Sequence, residues 1–351
     1  KHSANYCSSN SLIVENNARL TARVVSRDTA SGYDNRPVGD QLITIRSGGV
    51  LHLTQTNYYG FRVKDGTVTI DDGTVTCSNG YFNTWGTAGQ FSIHCLFRGG
   101  YLMAKRIYGG YTVPWRVGDG KGQTMRVHIN GGGGSLWGGD ASPYLQKDPD
   151  DAGQGNYAYY IGLIIKSDGI LSGSNDFMYA TDSNRDPLTK HWYVEGGRID
   201  PGDVGGTRPG TLNFSHGGFG LRYNSTLHID IYGSNRFDVL RIGFGGAEAG
   251  NASLNIGKLT ASGQIPTLEV DFRNGYTPTV GASWDILQWT PSSLDDCTAW
   301  VTGGWIGDAF TSNFNVVCVQ PAYGLTLQMN DALGVGRLRY NIPAGTLVEI
   351  E

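Results

Sequence analysis

The sequence predicts an all-β protein wound as a parallel β-helix, and three observations lead there. A short phrase recurs along the chain: a small residue, often glycine, then one residue, then an aliphatic that opens an alternating strand. Glycine supplies 53 of the 351 residues without a collagen-like triplet, roughly twice its usual share of about 7%. No segment carries the apolar spacing of a long helix. An antiparallel sandwich would also show many short strands, but it needs no recurring phrase.

The aliphatics that open the strands are Leu20, Leu51, Val75, Leu102, Leu136, Leu171, Ile199, Leu227 and Leu254, spaced 24 to 35 residues apart. That interval suits a coil of about three short strands, so the chain is expected to make roughly 8–10 coils. Within the phrases Gly49-Val50-Leu51-His52-Leu53, Gly73-Thr74-Val75-Thr76-Cys77, Ser225-Thr226-Leu227-His228-Ile229 and Ala252-Ser253-Leu254-Asn255-Ile256, every second residue is apolar. Alternate side chains of a strand point to opposite faces, so stacked coils place an aliphatic ladder inside and a polar column outside. Gly48-Gly49, Gly99-Gly100, Gly131 to Gly134 and Gly196-Gly197 precede such strands, where a sharp corner requires positive φ. The regular texture breaks at about 140–198. There Pro143, Asp148-Pro149-Asp150-Asp151, the tyrosines 157, 159 and 160, and Asn184-Arg185-Asp186-Pro187 read as long loops inserted between strands.

Lys and Arg number 27 against 31 Asp and Glu, a net charge of −4 with both signs scattered, and no basic face is present to track nucleic acid. No apolar run approaches the roughly 18 residues of a membrane span. The start Lys1-His2-Ser3-Ala4-Asn5-Tyr6-Cys7 lacks the apolar region of a signal peptide and reads as that of a mature product. Cys7, Cys77, Cys95, Cys297 and Cys318 show no C-x-x-C spacing, which argues against a zinc ribbon and for an exported protein with one or two disulfides. Cys297 and Cys318 bracket one short stretch and are the expected pair. No dinucleotide or phosphate-binding glycine motif occurs, and no cofactor or metal is expected.

Hydrolase signatures of the G-x-S-x-G and H-E-x-x-H types are missing. His94 and His128 each lie eight residues before Leu102 and Leu136, so on adjacent coils their rings would stack on the outer wall about 5 Å apart. Lyase chemistry on an acidic glycan needs a cation to offset the uronate carboxylate and a base for the C5 proton. Lys105, Arg106, Arg126, His128 and His94 are the candidates for that work. Glycoside hydrolysis needs two carboxylates at a fixed separation; Asp71-Asp72 and Asp230 with Asp238 are the pairs to weigh. Tyr58, Tyr59, Trp85, Tyr108, Tyr111, Trp115 and Trp137 crowd the early coils, and the exposed ones would stack on sugar rings or on a partner.

The stretches GTVTIDDGTVTCSNGYF, FRGGYLMAKRIYGG and MRVHINGGGGSLWGG resemble the autotransporter-associated β-strand repeats of bacterial surface proteins. Arg236-Phe237-Asp238-Val239-Leu240, the phrase at Leu254, Leu268-Glu269-Val270, and Gly275 through Pro278 and Gly281 to Trp284-Asp285-Ile286-Leu287 resemble the C-terminal module of autotransporter and PEP-CTERM-type passenger proteins. This resemblance implies a right-handed parallel β-helix at 1–235, passenger-like coils or a β cap at 236–351, export to the cell surface and no catalysis. Val348-Glu349-Ile350-Glu351 leads into neither a membrane barrel nor a sorting tail, so retention would follow from processing, self-assembly or glycan binding. The expected function is a secreted structural or adhesive β-solenoid, joining copies of itself by strand addition or holding a surface glycan. The alternatives are a lyase or hydrolase of an acidic glycan and a glycan-binding module.

Overall fold

A computed structural model describes residues 11–23, 25–26, 42–56, 60–63, 66–85, 93–112, 115–119, 121–130, 134–138, 161–178, 191–214, 217–222, 224–242, 252–256, 265–289, 314–320, 324–330 and 333–341. Every regular element among them is a β-strand. The chain divides into two compact units, 1–170 and 171–351.

In the first unit the strands form three series of parallel neighbours. One runs Ser11–Val14, Leu42–Arg46, Gly66–Asp71, Ile93–Phe97, Trp115–Val117 and Ile161–Lys166. Its register stacks Val14, Ile45, Ile70, Phe97, Val117 and Ile165, and all six are buried. The second runs Arg19–Ala22, Val50–Leu53, Gly73–Trp85, Gly100–Thr112 and Met125–Asn130, with Leu20, Leu51, Val75, Leu102 and Val127 in register. The third joins Val25–Ser26 and Phe61–Val63 to the later halves of Gly73–Trp85 and Gly100–Thr112, then to Gly134–Gly138. Both 13-residue strands belong to two series because the register between them shifts after Ala104.

The first four expected ladder members therefore stack as the alternation requires. The fifth is Val127, since Leu136 stands opposite Gly109 in the third series. Aromatic rings fill the space between series: Phe61 stacks on Phe82 with centroids 4.2 Å apart, and Trp115 meets Phe82 at 5.6 Å and Phe97 at 5.2 Å edge-on. Trp115 is fully buried and its Nε1 donates to Thr84 Oγ1 at 3.1 Å, which removes it from the expected binding aromatics: an indole that fills a core presents no surface to a ligand.

Corners between the first two series stack as well. Asn17 N donates to Ser47 O at 3.1 Å, Ser47 N to Asp71 O at 3.1 Å and Asp72 N to Gly99 O at 2.9 Å. Asn17, Ser47 and Asp72 all have positive φ, a conformation that short polar side chains tolerate. Asp72 thus turns a corner. At Gly100, with φ of +102°, a Cβ would lie 2.0 Å from Gly73 O, so the backbones approach more closely than any side chain permits.

The second unit repeats the parallel mode. Ile199, Leu227, Leu268 and Val316 are in register across Arg198–Pro201, Thr226–Gly233, Thr267–Phe272 and Asn315–Cys318. Leu212, Leu240 and Leu287 align across Thr211–Phe214, Val239–Ile242 and Ser283–Trp289. Leu254, expected after Leu227, instead faces Phe219 in the series His191–Glu195, Gly217–Arg222 and Ala252–Ile256. Parallel stacking gives way to antiparallel pairing where Val335–Asn341 joins Ser283–Trp289 and Gly324–Asn330. The described cysteines, Cys77, Cys95 and Cys318, are free thiols. Cys318 Sγ donates to Gln320 Oε1 at 3.7 Å, and Cys297, its expected partner, lies outside the described residues.

Candidate functional site

The outward positions of three adjacent strands in the second unit carry alternating ionisable residues: Arg198 and Asp200, then His228 and Asp230, then Glu269 and Asp271. Parallel register sets His228 opposite Glu269 and Asp230 opposite Asp271. Arg273 is the next alternate position after Asp271 and shares its face, immediately before the turn made by Asn274 at φ +55° and Gly275 at φ +71°. Trp284 braces this turn, packing on Phe272 at 5.6 Å and Tyr276 at 6.4 Å while its Nε1 donates to Gly233 O at 3.1 Å.

The contacts form a continuous chain. His228 Nδ1 lies 2.7 Å from Glu269 Oε1 and Nε2 lies 2.9 Å from Asp230 Oδ1. Arg273 Nε donates to Asp230 Oδ1 at 2.7 Å, and its Nη1 meets Asp271 Oδ2 at 2.9 Å. Arg198 Nη1 reaches Glu269 Oε1 at 2.9 Å. Tyr232 OH donates to Asp230 Oδ2 at 3.3 Å. Gln320 Nε2 extends the chain to the following strand, donating to Asp271 Oδ1 at 2.6 Å. Side chains of His228 and Asp230 are each 3% exposed.

Burial opposes ionisation of Asp230, but the hydrogen bonds and charges of His228 and Arg273 outweigh it and hold the carboxyl below its ordinary range. Glu269 behaves alike: burial raises it, and Arg198 with His228 prevails and lowers it. Asp238 is different. It accepts Gly210 N–H at 2.8 Å and Asp230 N–H at 2.9 Å. Burial nevertheless pushes it up to about 8; the two amides pull downward, while the charges of Asp230 and Asp200 add to the rise. Burial and the neighbouring carboxylates likewise push the Tyr232 phenol up.

The ligand atoms of His228, Asp230 and Asp271 lie within 4.8 Å of one another, a set that a divalent cation would use. The space between the two aspartates is already filled by the Arg273 guanidinium. A metal would have to displace this cation, and both imidazole nitrogens are engaged with carboxylates. The cluster works as an ionic staple across successive strands, its carboxylates held by the guanidinium groups of Arg198 and Arg273.

The residues singled out from sequence are distributed differently. Arg126 and His128 occupy alternate positions opposite Tyr101 and Met103, with exposed Lys105 the next alternate position beyond Met103. His128 is only 4% exposed. His94 stands opposite Thr67 in another series, so the expected stack of His94 on His128 does not form: both histidine phrases alternate alike, but they enter different series. Arg106 lies against Tyr81, its guanidinium 5.3 Å from the ring centroid and Nη1 donating to the hydroxyl at 3.4 Å. Trp85, Tyr108, Tyr111 and Trp137 lie in strands with side chains outside the described set, and Tyr58 and Tyr59 lie outside the described residues altogether. Asp230 and Asp238 do come together. His228, Glu269, Asp271, Arg273, Arg198 and Gln320 join the site through the register and form no recognised motif in the sequence. Their signal was His228-x-Asp230 and Glu269-x-Asp271-x-Arg273, charge alternating at strand period, which becomes a network only once the register is known. No protein-family model matches the chain, and no curated protein matches its sequence.

Proposed function

We propose that the protein is a right-handed parallel β-helix of the kind its passenger-like phrases imply, exported to the cell surface, where it serves as a structural or adhesive element. Three in-register parallel series with buried apolar side chains stacked from strand to strand support the solenoid reading. The observation that carries the non-enzymatic reading is the closed state of the ionic site. His228 and Asp230 are buried, the cations of Arg198 and Arg273 are held by carboxylates, and no acid–base pair in the site stands free to meet a substrate. A glycan lyase or hydrolase needs such a pair open to solvent. Stacked strands present edges at the ends of a solenoid, and strand addition there would join copies end to end.

Negative-stain electron microscopy across a concentration series tests the assembly. Filaments or sheets growing with concentration are expected, whereas isolated short rods at every concentration, with monomer mass by light scattering, would remove it. Incubation with acidic polysaccharides tests the non-enzymatic part. No rise in unsaturated-uronate absorbance and no new reducing ends are expected, and turnover lost on Arg126→Ala or Asp230→Asn would overturn the reading.

A further inference from the structure

Two strands stand last in their parallel series. Arg19–Ala22 pairs with Val50–Leu53, and Asn315–Cys318 pairs with Thr267–Phe272; among the described residues neither has a strand on its far edge. Asn315 N donates to Pro266 O and Val319 N to Val270 O, both at 2.9 Å. Val50 N donates to Ala18 O at 2.8 Å and Thr54 N to Ala22 O at 3.0 Å. Backbone groups of successive residues turn to opposite edges of a strand. Val316 and Cys318 on one strand, and Arg19 and Thr21 on the other, therefore direct their N–H and C=O groups away from their own sheet.

Side chains at the two edges match in the same phase. Each strand alternates exposed and half-buried residues in the same order, from Arg19 to Ala22 and from Asn315 to Cys318. Leu20 and Val316 are half-buried ends of ladders whose next members, Leu51 and Leu268, are fully buried. On the outer face Val317 and Val319 are exposed. The charges differ in sign: Arg19 and Arg23 are exposed at one edge, and the strand behind them places Val50, His52 and Thr54 outward, with no carboxylate. Behind Val317 and Val319 stand Glu269 and Asp271, with Arg273 as the cation beside them. A second copy thus offers each edge the missing ladder member, the backbone partners and the opposite charge.

Resting on the self-assembly reading above, we propose that Asn315–Cys318 of one copy pairs in parallel with Arg19–Ala22 of the next. Arg19 lies opposite Asn315, Leu20 opposite Val316, Thr21 opposite Val317 and Ala22 opposite Cys318. In this register Val316 N–H donates to Arg19 O, Thr21 N–H to Val316 O and Cys318 N–H to Thr21 O. Leu20 extends the ladder of Leu227, Leu268 and Val316, while the Arg23 stem covers Val319 and turns its charge toward Asp271. A slip of one residue would turn Leu20 outward and put the backbone groups out of phase. One edge meets a different edge, so the contact is heterologous and builds rings or filaments instead of stopping at a pair.

Two variants of the whole chain test this register. Thr21→Pro removes only an N–H that points away from Val50–Leu53. It should leave the urea midpoint unchanged and abolish the growth of light-scattering mass with concentration. Ala22→Cys sets a thiol opposite Cys318, a free thiol, of the next copy, at a separation that a disulfide spans. Mild oxidation should join the two sulfurs, the oxidant taking two electrons as both thiol protons leave. In a mixture of isotope-labelled and unlabelled chains, peptide mass spectrometry should place the bond between copies; Thr21→Cys, facing the other side, should give none to Cys318. Should the proline variant lose the fold, the thiol pair decides alone. Assembly persisting in a folded Thr21→Pro, equal linking from position 21, or a bond confined to one chain would overturn this register and leave assembly through another surface. Unsubstituted protein that stays monomeric at every concentration would overturn the register and the assembly reading together.

Discussion

From Ser11 to Val117 successive strands meet through apolar side chains and corner backbone, with Val14, Ile45, Ile70, Phe97 and Val117 stacked inside and Asn17, Ser47 and Asp72 hydrogen-bonded from corner to corner. From Arg198 to Gln320 the same inner stacking, Ile199 on Leu227 on Leu268, is joined on the outer face by a partly buried ionic chain. The difference concerns the solvent side of the sheet. Burying apolar area needs no particular partner and tolerates any ladder of similar side chains. Burying charge requires each group to find its opposite at hydrogen-bond distance, which ties the strands to one register.

Substitutions in each region should separate these two modes. The largest effect is expected for Phe82→Ala, which removes the stack on Phe61 and the edge contacts to Phe97 and Trp115. It should cost about 3–5 kcal/mol, read as a shift in the urea midpoint that is the same at low and high salt. Arg273→Ala comes next. It leaves Asp230 buried without its guanidinium, and because the arginine is a third exposed the cost should be about 2–3 kcal/mol, below that of a fully buried pair.

The pH dependence of this second variant sharpens the contrast. Asp230 and Glu269 are held below their ordinary range, so their stabilisation is present above the ordinary carboxylate range and lost as pH falls through the lowered native values. The deficit of Arg273→Ala should therefore be greatest near neutrality and shrink in acid, as Asp230 takes up a proton. A deficit constant from pH 7 to 3 would show that Arg273 acts by packing alone. Phe82→Ala should show no such trend.

Thr84→Val should cost about 1–2 kcal/mol, because it strands the buried Trp115 Nε1–H without opening a cavity. Thermal melts of Thr84→Val and Thr84→Ser would check this, with serine retaining most of the stability. The smallest effect is expected for Arg46→Ala, whose ion pair with Glu15 lies on an exposed surface. It should change stability by under about 1 kcal/mol and vanish in high salt. A large, salt-sensitive loss there would mean that the first unit also depends on charge.

The path from Leu20 through Leu51 and Val75 to Leu102 is legible in the sequence, because strand period and the glycine corners repeat together in that stretch. Beyond it the same phrase became ambiguous. Leu136 and Leu254 open strands that look like their predecessors, yet they join other series, and Val127 and Leu268 take the expected places. A strand phrase states which side chains share a face and not which neighbouring strand it will meet. The same holds for His94 and His128, alike in sequence and set in different series.

What the amino-acid sequence determined by itself is the strand-rich, glycine-cornered texture, the alternation of inner and outer positions, and the lack of any helix-forming run; these depend on residues close along the chain. Tertiary structure decided which strands lie side by side, that Trp115 is core, and that Arg198, His228, Asp230, Glu269, Asp271, Arg273 and Gln320 form one network. Residues 198 and 320 are far apart in the chain, and charge attracts through space. Only the parallel register, accumulated over successive strands, brings those groups to within 3 Å of a partner.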